Sequence, residues 1–189
     1  MPDGSIRKRR QNFNDAGHAH ELTFCCYHRY PLLSKDRSRQ WFIDSLDAAR
    51  KKWDFELWAY VIMPEHVHVL IFPRSSSSDM SVIRKSIKQP VSRRAISYLE
   101  QCSHSWLQRL RVHEGGRTFH RFWQAGGGYD RNICVESTAW SSVNYIHNNP
   151  VRRGLVDHAT DWVYSSARWY EGVNEVVLPM DGCPPAPRV

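Results

Sequence analysis

Two short stretches carry side chains that could do chemistry together. In PEHVHVLIF, residues 64–72, His66 and His68 stand one residue apart inside an apolar run. On a strand, alternate side chains share a face. His66, His68, Leu70 and Phe72 then fall on one side, with Val67, Val69 and Ile71 on the other. Two imidazoles about 6.5–7 Å apart along the backbone can reach one metal ion. Two ordinary half-buried strand histidines would give the same pattern. His18 and His20 repeat the spacing beside a polar stretch, without apolar flanks, and are set aside. The second stretch is NYIHNNP, residues 144–150. On a helix over 136–149, Ala139, Trp140, Val143 and Ile146 form the core stripe. Tyr145 and Asn149 lie one turn apart on roughly the opposite face. The phenol is thus held off the core, beside an amide whose oxygen can ligate a metal. An asparagine ahead of Pro150 equally suits a helix C-terminus. His147 points toward the apolar side and reads as packing or phosphate contact.

The elements that must position these residues follow from periodicity. HELTFCCYHRY, residues 20–30, reads as a first strand. Residues 36–53 carry Phe42, Leu46, Ala49 and Trp53 on a helical stripe. FELWAYVIM, 55–63, and HVHVLIF are two apolar runs split by Pro64-Glu65, the pattern of adjacent antiparallel strands. SSSSD, 75–79, suits a connector that caps the next helix, whose stripe is Ile83, Ile87, Val91, Ala95, Tyr98 and Leu99. Pro90 should kink or split that helix. Residues 102–120 look irregular and basic. RFWQAGGGYDRNICV, 121–135, leads through three glycines into a short strand, then the tyrosine-bearing helix follows, stopped by Pro150. The order β-α-β-β-α-β plus a helix predicts an α+β, ferredoxin-like antiparallel sheet with helices on one face and a C-terminal tyrosine-bearing helix. The expected division is a flexible tail at 1–17, one domain at 18–170 and a C-terminal tail at 171–189, disordered from Pro184.

Composition narrows the partners. The chain has 189 residues, enough for one domain, and 41% of them are apolar. No run approaches the ~20 apolar residues of a membrane span, and no apolar segment follows the basic N-terminus as in a secretory signal. The five cysteines form no CxxC pair, which points to free thiols in a reducing, cytoplasmic setting. The formal charge is +7, and residues 84–121 hold nine Lys/Arg against two Glu. That basic segment suggests a polyanion, most simply nucleic acid; a solvated, solubilising face is the plainer explanation. Arg84, Lys85, Lys88, Arg93, Arg94 and Arg121 are the candidate phosphate contacts. Trp106, Phe119, Phe122 and Trp123 could stack bases, though such aromatics are more often core.

The blocks HVH, RFWQ…GYDRNI and YIHNNPVRRGLV…DW…SSARWY, in this order over about residues 18–170, resemble the REP-associated tyrosine transposases. These are relatives of the single-tyrosine HUH transposases of the insertion-sequence-200-like superfamily. The resemblance implies a ferredoxin-like protein that cleaves and rejoins single-stranded DNA beside hairpins, using Mg2+ or Mn2+. It implies His66 and His68 as metal ligands, Asn149 as the third, where some relatives carry Gln, and Tyr145 as nucleophile, which would keep the 5′ phosphate and free a 3′ hydroxyl. Relatives work as monomers or as homodimers that exchange the tyrosine helix, in the cytoplasm and associated with the nucleoid. Two rivals stand beside this reading. One is a catalytically silent hairpin-binding module derived from such a transposase. The other is a zinc hydrolase on the HxH pair, for which Glu65 is the near carboxylate.

Overall fold

The computed structural model describes residues 17–75, 77–173 and 175–187. Of the expected N-terminal tail only Gly17 lies among them. A four-stranded antiparallel sheet of β1 (Ala19–Cys25), β2 (Phe55–Ile62), β3 (His66–Pro73) and β6 (Tyr129–Ile133) is ordered β2-β3-β1-β6. This is the ferredoxin-like arrangement, with β6 taking the place of a fourth strand. Between it and the rest of the fold lie α3 (His104–Arg109) and a separate hairpin of β4 (Arg111–Glu114) and β5 (Arg117–His120). The sequence reading treats this stretch as irregular, but Gly115 and Gly116, with φ of +59° and +72°, make the tight turn that joins Glu114 to Arg117.

Two layers cover the two faces. Helices α1 (Asp36–Trp53) and α2 (Met80–Cys102) bury Phe42, Leu46, Ile83, Ile87 and Val91 against Val67, Val69 and Ile71 of β3. The alternation expected for this strand therefore holds on its apolar side. α1 closes at Asp54, whose left-handed backbone (φ 45°) returns its N–H to the Arg50 carbonyl. The side chain of Asp79 caps α2 by accepting from the Ser81 N–H. Pro90 does not split α2. A proline leaves the carbonyl four residues back without its helical donor. Here the Ser45 hydroxyl of α1 lies 3.3 Å from the Ser86 oxygen and donates at 2.7 Å to that of Ile87. Phe122 and Trp123 belong to this core, and the Trp123 indole donates to the Lys88 carbonyl.

The opposite face carries α4 (Glu136–His147), where Ala139, Val143 and Ile146 pack on Trp58, Ala59, Val61 and Leu70. Pro150 does not end the helical course. After a break at Asn148, α5 (Asn149–Arg152) continues with the proline in its first turn. His147 is buried under α4, with Nε2 2.8 Å from the Ser166 hydroxyl and its ring against Tyr170, in α6 (Ala167–Tyr170). It serves packing.

β2 is an edge strand, and later chain covers its outer edge. Ile62 N–H donates to Tyr164, Ser166 exchanges bonds with Tyr60, and the Tyr170 hydroxyl donates to the Trp58 carbonyl. The segment read as a C-terminal tail also docks. Leu178 and Met180 enter the core, Asp181 bonds both backbone groups of Leu57, and the Pro185 carbonyl accepts from the Trp140 indole. All five cysteines are free. Among the described residues no helix is long and apolar enough to cross a membrane.

Burial pushes His147 down to about 4. The unfolded chain binds its proton near 6.5, so stability is full above that pH and falls as pH drops toward 4. Urea midpoints should fall between pH 7 and 5, and His147→Gln should remove on the order of 1–2 kcal/mol of that dependence. Leu178→Ala should lower stability by about 3 kcal/mol, far more than an unattached tail allows.

Candidate active site

The β1–β3 register pairs Thr23 with His68 and Cys25 with His66. Cross-strand partners share a face, so these four side chains look toward α4. The two imidazoles stand edge to face with ring centroids 4.9 Å apart. Each has its Nδ1 held by a neighbour. His66 Nδ1 lies 3.1 Å from Glu65 Oε1, and that carboxylate also accepts from Arg153 at 2.6 Å. His68 Nδ1 lies 2.9 Å from the Thr23 hydroxyl. An imidazole tied at Nδ1 offers Nε2 to a ligand in fixed orientation.

Helix α4 crosses this face so that Ser142 donates to Glu21 of β1, and Tyr145, about one turn later, stands over His68. Their ring centroids are 5.3 Å apart and nearly perpendicular. One further turn brings Asn149, buried, with its amide nitrogen 3.3 Å from His68 Nε2. Tyr145 itself is exposed at 40%. The Arg152 guanidinium lies 5.2 Å from the Tyr145 ring centroid, within cation–π range. The four residues singled out from HVH and YIHNNP thus meet in one chain, although the sequence separates them by up to 83 positions.

Burial, and next the charge of His66, push His68 down to about 3. Burial also lowers His66, against the pull of Glu65. Both rings are therefore neutral at physiological pH, the form a metal requires. The donor set of two imidazoles and an amide suits a divalent cation that tolerates mixed nitrogen and oxygen ligands. Among the described residues no group of three or more His, Cys, Asp or Glu side chains could hold a metal, so the third strong ligand that a zinc hydrolase needs is not among them. Glu65, its proposed base, is engaged by Arg153 and His66.

The basic candidates lie elsewhere, on and beside α2. Lys85 and Arg93 are exposed, Arg94 pairs with Asp44, and Arg121 pairs with Glu114. Lys85, Lys88, Arg121 and Trp123 line an open groove of about 630 Å³ between α2 and the 120–127 loop, where Lys88 donates to the Gly126 carbonyl. Arg84 departs from a surface role. It is 7% exposed and bonds Asp130, which also binds the buried His20. Of the aromatics proposed for stacking, Phe122 and Trp123 are core, while Phe119 is exposed. Thr23, Arg152 and Arg153 were not read as functional. The two arginines had a signal, lying two turns beyond Tyr145; Thr23 had none without the strand register.

The family model described as "Transposase IS200 like" matches residues 16–149. A Haemophilus influenzae protein named for the REP-associated tyrosine transposases is 23% identical over 159 residues, covering 80% of this chain and 84% of its own. The solved structure of a REP-associated tyrosine transposase bound to a REP hairpin is similar over 88% of each chain, with a TM-score of 0.65 and 20% identity. A Deinococcus radiodurans protein described as a transposase matches 74% of this chain and 97% of its own at 20% identity and a TM-score of 0.45.

The hydrogen bonds fix a tautomer that can be measured. Nitrogen-15 spectra should show His68 neutral and protonated at Nδ1, without titrating between pH 7.5 and about 5. Asn149→Ala, which removes the amide N–H that donates to Nε2, should release that preference; a His68 titration near 6.5 would contradict the buried site.

Proposed function

The chain belongs to the IS200-like transposase family, and on that premise we propose that it is a metal-dependent endonuclease and strand transferase for single-stranded DNA beside a hairpin, working through a covalent 5′-phosphotyrosine. The observation that carries this reading is the convergence of Tyr145, His68, His66 and Asn149 on one face of the sheet.

Tyr145 Oη attacks the scissile phosphorus. The oxygen–phosphorus bond forms as the bond to the 3′ oxygen breaks; the phenol proton passes to solvent and the 3′ oxygen takes one up. Bond energy is kept in the phosphotyrosine, so rejoining needs no ATP. A divalent metal, Mg2+ or Mn2+, held by His66, His68 and Asn149 would supply Lewis-acid charge to the scissile phosphate. Glu65 with Arg153, and Thr23, keep the two rings aimed. Arg152 holds the Tyr145 ring by a cation–π contact. One copy of the chain brings all these groups together, which supports action as a monomer.

The substrate is carried over from the relative that binds a REP hairpin. In this chain Lys85, Lys88, Arg93, Arg94 and Arg121 would contact phosphates, giving an affinity that falls steeply with salt. Arg84 would act from beneath, by bracing Asp130 and the glycine loop: a Cβ on Gly127 would lie 3.3 Å from its guanidinium carbon. Such a protein works on chromosomal DNA in the cytoplasm.

A labelled hairpin oligonucleotide with a single-stranded flank tests this. With Mn2+ it should give a covalent protein–DNA adduct that EDTA prevents and Tyr145→Phe abolishes. His68→Ala should slow adduct formation by more than about 100-fold and Thr23→Val by about 10-fold. Binding without adduct in any metal would identify a silent module instead. An adduct indifferent to EDTA would remove the metal from the mechanism.

A further inference from the structure

Tyr129 opens β6 and is 57% exposed, the largest exposure among the bulky apolar and aromatic residues described. Its side is set by register. Thr23 pairs with His68 on one strand and with Tyr129 on the other. Tyr129, Thr23 and His68 therefore form one row on one face, with Tyr129 two strand spacings, about 9–10 Å, from the imidazole. Helix α4 overlies the His68 end of that row and leaves the Tyr129 end open. Two residues along β6, Arg131 faces the same way, its side chain 48% exposed and 3.9 Å from the Glu21 carboxylate.

The backbone beneath is fixed. Gly128 adopts φ +82°, and a Cβ there would meet the Thr23 carbonyl oxygen at 2.3 Å. Only glycine permits this approach, and the same close contact ties the start of β6 to the residue that orients His68. β6 is also the outermost strand of the sheet, so the Tyr129 end of the row is open to solvent both above and beside it.

An exposed aromatic on a sheet face, with a cation beside it, is the arrangement on which unpaired bases stack while a phosphate is paired. We infer that Tyr129 and Arg131 form a nucleotide-binding platform on the sheet that holds the single-stranded segment next to the scissile phosphate, Tyr129 stacking a base and Arg131 pairing a phosphate. This rests on the single-stranded DNA reading above. The platform lies on the Tyr145 face, whereas the groove beside α2 lies on the face covered by α1 and α2. The molecule therefore offers separate surfaces for the unpaired flank and for further phosphates. Base stacking is tolerant of sequence, so the platform fixes where the strand lies rather than which bases it carries.

The test uses a DNA hairpin with a randomised single-stranded flank and a blunt hairpin of the same stem. Tyr129→Ala should weaken binding of the flanked hairpin by about tenfold. Tyr129→Phe should bind it as wild type does, and the blunt hairpin should bind all three equally. The half-saturating DNA concentration for adduct formation should rise in Tyr129→Ala while the rate at saturation stays unchanged, as expected for a binding rather than a chemical role. Arg131→Ala should reduce the slope of log affinity against log salt by about 0.7. Wild-type adduct with undiminished flank binding in Tyr129→Ala overturns this inference alone. Equal loss in Tyr129→Ala and Tyr129→Phe overturns stacking in favour of a hydroxyl contact. Failure of the wild type to bind the flank overturns both this inference and the proposed function.

Discussion

A strand cannot turn consecutive side chains to the same side, and the architecture is arranged around that restriction in β3. Val67, Val69 and Ile71 go into the core beneath α1 and α2, which leaves His66 and His68 no choice but the other face. A slip of one residue would bury the imidazoles among Phe42 and Ile87 and expose the valines. The apolar side therefore acts as the lock on the polar side. Because each ring is also desolvated, both remain neutral, and the register that hides the valines sets the protonation state of the site as well.

The second constraint is helical. Tyr145 and Asn149 are brought to the same imidazole because α4 crosses the sheet, with Ser142 reaching Glu21 on β1 and Tyr145, one helical step on, reaching His68 on β3. The break at Asn148 does not spoil this step, since α5 resumes at once and delivers Arg152 to the phenol and Arg153 to Glu65. Cation, phenol, carboxylate and imidazole are thereby linked through a short run, YIHNNPVRR, laid over the two histidines.

Periodicity made much of this legible. The helix at 36–53 and the two faces of β3 could be read from residue type alone, because each buries an unbroken stripe. The Tyr145–Asn149 pairing was readable for the same reason. What the chain did not disclose were relationships between distant positions. Thr23 meets His68 only through strand register. Arg84 looks like any surface cation until Asp130, 46 residues later, draws it inside. Pro90 reads as a helix breaker because the compensating hydroxyl of Ser45 sits on another helix. The hairpin at 111–120 was missed although its Gly-Gly turn was in view, because polar side chains on both strands hide the alternation. The docking of Leu178 and Asp181 was hidden by the glycine and prolines around them.

The covering of β2 has a consequence for how the protein is made. Its outer edge is closed by residues 164–170 and 181, more than a hundred positions downstream of the strand they protect. During synthesis the hairpin of β2 and β3 emerges long before those residues do. Until those residues emerge the sheet has an unpaired border able to recruit another strand, and chains cut short before that closing segment would keep His66, His68 and Tyr145 but leave that border uncovered. The stretch that closes β2 thus hides a sheet edge as well as adding to the core.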